Sequence, residues 1–125
     1  MKRCMLQAYV VGSDKAAEHY QKAFDARMVS SYKNSDGTYY HAELDVYGQI
    51  LALSEAEHTG EGMPVTGNTM QFCLHFEEGQ ELLLQKAYNV LKEGAEIRHP
   101  LSACDYSPLM TDLIDQFGVR WCLFI

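Results

Sequence analysis

The sequence predicts an α+β fold assembled as two tandem βαβββ modules within one domain, residues 1–125. Three observations carry that expectation. Residues 4–55 and 69–125 each read, in order, as a strand, a helix and three strands. The strand segments alternate apolar and polar residues with period two, whereas the helical segments repeat apolar residues at spacings of three and four. Between the modules, residues 56–68 hold Gly60, Gly62, Gly67 and Pro64 without an apolar period, the composition of a linker.

Residues 4–11 place Leu6, Ala8 and Val10 on one strand face and Met5, Gln7 and Tyr9 on the other. Ser13 is then expected to cap a helix at its N-terminus, with Asp14 where the helix dipole favours negative charge. Ala16, Ala17, Tyr20, Ala23 and Phe24 form the stripe that packs on the sheet, and His19 flanks it. Residues 28–32 are a short strand ending at Asn34-Ser35-Asp36-Gly37, a turn sequence. Residues 39–46 alternate Ala42, Leu44 and Val46 against Tyr39, His41, Glu43 and Asp45. After Gly48, residues 49–54 carry Ile50, Leu51, Ala52 and Leu53 in a row, as in a strand buried on both faces.

The second module repeats the plan. Residues 69–76 set Phe72, Leu74 and Phe76 against Gln71, Cys73 and His75. Residues 80–92 form a helix through Leu83, Leu84, Ala87, Tyr88 and Leu91, with Gly94 as a left-handed stop. A strand at 96–99, a loop from Pro100 to Pro108 and a strand at 109–114 follow. Residues 115–118 then turn the chain into a last strand, 119–125. There Trp121, Leu123 and Ile125 share one face and Arg120, Cys122 and Phe124 the other. Asp25-Ala26-Arg27-Met28 and Gly94-Ala95-Glu96-Ile97, each following a helix, support a diverged duplication.

Composition narrows the function. A formal charge of −7 without a clustered Lys/Arg stripe disfavours nucleic acids and anionic membrane surfaces. Cys4, Cys73, Cys104 and Cys122 show no CxxC pair or zinc-ribbon spacing, so reduced thiols in a cytoplasmic protein are expected. No signal peptide or membrane-length apolar run is read at residues 1–125. Glycine-rich phosphate loops, nucleotide fingerprints and a Ser-His-Asp order are missing, so no cofactor is expected.

The doubled plan resembles the vicinal oxygen chelate superfamily of glyoxalases, bleomycin-resistance proteins and extradiol dioxygenases. Particular residues are similar to its PhnB-like branch: Ala16 to Phe24 in the first helix, His41-Ala42-Glu43-Leu44 in the third strand and Leu51-Ala52-Leu53-Ser54-Glu55 in the fourth. Asp115, Phe117, Gly118, Val119 and Trp121 match its terminal turn and strand, while a glycine usual after the first helix is Asp25 here. The resemblance implies a cup-shaped mixed sheet with the helices outside, a cleft where the halves face one another, and a homodimer. Metal-dependent members carry ligands at positions that fall on Met5, Ala52, Gln71 and Cys122 in this chain. Only Gln71 is a credible oxygen ligand, so no metal is expected.

The faces away from the helices then supply the candidate cleft: Met5, Gln7, Tyr9, Tyr39, His41, Glu43, Gln71, Cys73, His75, Arg120, Cys122 and Phe124. Any one of them can equally lie at a dimer interface or under solvent. His41 and Glu43, two apart on one face, form a candidate general-base pair or an ordinary exposed strand pair. Arg120 either clamps an anionic ligand or pairs with Asp112 or Glu43. Cys73 and Cys122, near His75, are reactive thiols, soft-metal ligands or apolar filler. Tyr106 in the 100–108 loop is a candidate lid or a surface residue. Three functions follow: a metal-free small-molecule-binding module, a lyase- or isomerase-type enzyme using His41 and Glu43, or a drug-sequestering protein.

Overall fold

A computed structural model describes residues 1–56 and 62–125; residues 57–61 of the expected linker lie outside the described residues. The chain divides into two compact units, Met1–Val65 and Thr66–Ile125, and each is a βαβββ module.

In the first unit, β1 (Leu6–Val10), α1 (Ser13–Phe24), β2 (Arg27–Lys33), β3 (Tyr39–Val46) and β4 (Gln49–Glu55) form a mixed sheet in the order β1-β4-β3-β2. β1 runs parallel to β4, and β3 runs antiparallel to both β4 and β2. The register Ala8↔Leu53↔Ala42 and Leu6↔Leu51↔Leu44 gathers the apolar residues on one face. α1 covers that face with Ala16, Ala17, Tyr20, Ala23 and Phe24, all buried. The small alanines let the helix approach closely, and Tyr20 and Phe24 fill the remaining depth. β4 is buried from Leu51 to Glu55, as its unbroken apolar run predicts for an interior strand.

The start of α1 departs from expectation. Gly12, in the left-handed region at φ 80°, is the N-cap, and Ser13 is the first helical residue. The orphan amides of Gly12 and Ser13 donate to the buried Glu55 carboxylate, at 3.0 and 2.8 Å. A carboxylate satisfies helix-start amides more strongly than a hydroxyl, because it is charged and meets the positive end of the dipole. The Ser13 hydroxyl instead accepts the amide of Tyr39 at 2.8 Å. At the other end Asp25 takes the left-handed C-cap conformation, φ 49°, that a glycine would adopt without strain.

In the second unit, β5 (Phe72–His75), α2 (Glu81–Leu91), β6 (Glu96–Cys104), β7 (Ser107–Ile114) and β8 (Arg120–Phe124) give the order β5-β8-β7-β6. β5 is parallel to β8, and the other pairs are antiparallel. Trp121, Leu123, Leu113 and Thr111 form the buried face, with Leu84, Ala87, Val90 and Leu91 of α2 contributing to the core. Gly94 takes a positive φ after α2, as expected.

The expected loop at 100–108 is instead a hairpin. β6 continues to Cys104, Asp105 and Tyr106 make a two-residue turn, and β7 starts at Ser107. Pro100 argued for a loop because it cannot donate to a ladder. β6, however, is an edge strand with register shifts on both sides of Pro100, where a missing donor costs nothing.

The last turn is held by Asp115. Its buried carboxylate accepts the amides of Phe117 and Val119 through Oδ1, at 2.9 and 3.0 Å, and the Trp121 indole through Oδ2, at 2.8 Å. Gly118 closes the turn at φ 84°, and a Cβ there would stand 2.9 Å from the Thr66 hydroxyl. Among the described residues no helix is long and apolar enough to cross a membrane.

Candidate functional site

Each sheet turns a chemically mixed face away from its helix. In the first unit the row Gln7↔Ala52↔Glu43↔Ser30 sets that face, with Tyr32↔His41 in the next. His41 Nε2 lies 3.0 Å from Glu43 Oε1, so the pair expected from their two-residue spacing is formed. Glu43 has a second partner: Arg3 donates to both its oxygens, Nη1 to Oε2 at 2.8 Å and Nη2 to Oε1 at 2.6 Å. The Arg3 guanidinium, and then His41, hold the Glu43 carboxyl at about 2, well below its usual range, against the opposing effect of burial. Glu43 is therefore an ionised hydrogen-bond anchor rather than a proton acceptor at neutral pH. Its charge is shared between Arg3 and His41, which weakens its hold on the imidazole.

Arg3 was not anticipated from sequence. Its signal is positional: residues 3, 5, 7 and 9 share parity, so extending the alternation of β1 backwards brings Arg3 to the face of Met5, Gln7 and Tyr9. Gln7 donates to the Ser54 hydroxyl at 3.1 Å. Met5 lies just before β1 and is half-buried, Tyr9 is exposed, and Tyr39 is half-buried with Lys33 Nζ 5.6 Å from its ring centre.

In the second unit the corresponding face carries Cys73, His75, Arg120, Cys122 and Phe124. The ring of His75 stacks on Phe124 at 4.4 Å and 17°, and Tyr106 meets Phe124 edge-on at 5.6 Å. The Tyr106 hydroxyl sits 3.9 Å from Cys122 Sγ. That contact, foremost, pushes the phenol up to about 12. Burial pushes the Cys122 thiol up as well, opposed by the same contact. Both groups are protonated near neutral pH, which leaves Cys122 a poor nucleophile. Arg120 is bidentate on Asp112, Nε to Oδ1 at 3.1 Å and Nη2 to Oδ2 at 2.8 Å, one of its expected pairings. Gln71 is exposed just ahead of β5.

Tyr106, placed at the hairpin turn rather than in a loop, lines a pocket of ≈ 650 Å³ with His75, Phe76, Pro108, Glu77 and Glu78. Glu77 and Glu78 follow the end of β5, where strand parity says nothing, and Pro108 was not a candidate because the sequence reads as a loop there, whereas it lies in β7.

The four positions of the resemblance that bind metal in other members hold a thioether at Met5, a methyl at Ala52, a carboxamide at Gln71 and a thiol at Cys122. Ala52 offers no donor atom, and the buried Cys122 thiol is raised rather than ionised. This donor set does not fit a divalent ion. Among the described residues, no group of three or more His, Cys, Asp or Glu is placed to hold a metal.

No family model matches the chain, and no curated protein matches it. Solved structures do. A PhnB protein from Bacillus cereus superposes with TM-score 0.80 at 21% identity, covering 98% of each chain. The chain has the glyoxalase/bleomycin-resistance/dioxygenase fold. A glyoxalase-related enzyme from Fulvimarina pelagi shares this fold, with TM-score 0.68 at 17% identity over 99% of this chain and 88% of that one. So does the fosfomycin resistance protein FosX from Listeria monocytogenes, with TM-score 0.67 at 11% identity over 99% and 90%. The FosX structure is a complex with Mn(II) and a dihydroxypropylphosphonic acid. The fold is thus common to proteins of the vicinal oxygen chelate superfamily.

Proposed function

We propose that this chain is a PhnB-like protein of the glyoxalase/bleomycin-resistance family that binds a small, partly aromatic molecule without a metal, as a cytoplasmic homodimer. One observation carries the reading: the His75–Phe124–Tyr106 aromatic cluster beside a pocket of ≈ 650 Å³. That volume falls within the roughly 300–1,000 Å³ usual for small-molecule sites. Exposed His75 and Tyr106 offer a ring face and a ring edge to a planar ligand, and offset or edge contacts of this kind contribute about 0.5–1.5 kcal/mol each beyond burial.

The enzyme reading rests on the 3.0 Å contact between His41 and Glu43, with His41 as the base and Glu43 orienting its ring. The shared hold of Arg3 on Glu43 is why binding is preferred to it. A sequestering protein for cationic drugs is favoured by Glu77 and Glu78 in the pocket lining.

The test is calorimetric titration of the native protein with a panel of aromatic, anionic and cationic metabolites and drugs, alongside product analysis. The expected result is saturable binding without product, weakened about two- to tenfold by Tyr106→Ala or Phe124→Ala, on the scale of one lost aromatic contact. Product formation abolished by His41→Ala would replace this reading with the enzyme. Binding unchanged in both aromatic variants would remove the pocket. Sedimentation of the same samples tests the dimer.

A further inference from the structure

The mixed face of the second sheet holds two thiols in direct register. Cys73 of β5 and Cys122 of β8 are partners in the parallel ladder, so both side chains leave the sheet on the same side. After burial, Cys73 is among the groups that raise the Cys122 thiol. Cys73 is exposed and Cys122 is buried. Neighbouring strands run about 4.8 Å apart, inside the roughly 4.4–6.8 Å that Cα atoms of a disulfide span. β5 is a four-residue strand at the edge of its sheet.

We propose that Cys73 and Cys122 are a dithiol–disulfide pair, closed and reopened by exchange with a low-molecular-weight disulfide such as oxidised glutathione. The Cys73 thiolate, the accessible one, attacks a sulfur of the small disulfide. A mixed disulfide forms on Cys73 and one small thiolate leaves. Cys122 then gives its proton to solvent and attacks the Cys73 sulfur, expelling the second small thiolate. Two protein thiols are oxidised to one bridge, and one small disulfide is reduced to two thiols. Because Cys122 is buried and held protonated, the second step is the slower and quickens as pH rises. Directly paired strands keep the β-carbons near the strand spacing, about 4.8 Å, beyond the roughly 3.5–4.5 Å of a relaxed bridge. The bridge is therefore strained and readily reduced by thiols. Closing it also draws Cys122 Sγ away from the Tyr106 hydroxyl, 3.9 Å distant in the reduced protein. The reaction needs no bound ligand, so it stands apart from the binding reading.

The experiment treats the native protein with oxidised glutathione, quenches free thiols with an alkylating agent and maps the peptides by mass spectrometry. The expected product joins the Cys73 and Cys122 peptides, two hydrogens lighter than the reduced pair, and dithiothreitol reverses it. Cys122→Ser should leave glutathione stably attached to Cys73, and Cys73→Ser should leave Cys122 reduced. Wild-type protein that retains glutathione on Cys73 with Cys122 free would overturn the proposal. So would oxidation of Cys122 in Cys73→Ser at the wild-type rate. Cys4, also exposed, serves as an internal control for a thiol without a neighbour in register.

Discussion

Replacing Arg3 by methionine should flatten the dependence of stability on acid. In the folded protein the Glu43 carboxyl lies at about 2 instead of 4.5, chiefly through the two hydrogen bonds from Arg3 and then the one from His41. A folded-state value below the unfolded one means that the unfolded chain takes up the proton first. The stabilisation is therefore complete above about pH 4.5 and is lost as pH falls towards 2. At about 1.4 kcal/mol per pH unit, such a displacement corresponds to ~3 kcal/mol at most. Arg3 keeps 47% of its side chain in solvent, so screening leaves only part of that to its two hydrogen bonds, and His41 supplies some of the remainder. Urea unfolding followed through the buried Trp121, the one tryptophan in the chain, reads this directly. Between about pH 5 and about pH 3 the wild type should lose measurably more unfolding free energy than Arg3→Met, and the gap should widen as pH falls towards 2. Equal losses would show that Arg3 does not hold Glu43 in solution, and the account of Glu43 as a charge-balanced anchor would fail with it.

Two further outcomes follow from the caps and turns. Asp115→Ala leaves two turn amides and a buried indole without their acceptor, which should lower unfolding free energy by about 2–4 kcal/mol in the same assay. Asp25→Gly relieves a left-handed non-glycine cap and should raise stability by about 0.5–1 kcal/mol. The gain should appear as a higher urea midpoint with an unchanged slope.

The sequence was most informative where one face is apolar and the other is not. β3 begins and ends at the residues its alternation predicts, Tyr39 and Val46, because a one-residue slip there would exchange the buried Ala42, Leu44 and Val46 for His41, Glu43 and Asp45. The His41–Glu43 contact follows from the same parity. What parity cannot supply is the partner from another strand: Arg3 and Glu55 act across 40 and 42–43 residues of sequence, and nothing local marks them. Ser13 was misread for that reason. The residue type favours capping, but a carboxylate from β4 reached the amides first. The 100–108 hairpin was misread because Pro100 and Pro108 indicate a loop unless the strand is known to lie at an edge, and edge position is a property of the assembled sheet.

Glu55 has a consequence for how the first module tolerates change. It is the last residue of β4, lies opposite Val10 in the parallel ladder, and grips the amides that open α1. Sliding β4 by a single position would carry this carboxylate about 3.3 Å along the sheet and turn it to the opposite side, stripping both amides at once. The grip thus works as a latch that recognises only one alignment of β1, β4 and α1. Lengthening the chain inside β4 would spring it, whereas extra residues inserted after Ala56 would leave it fastened.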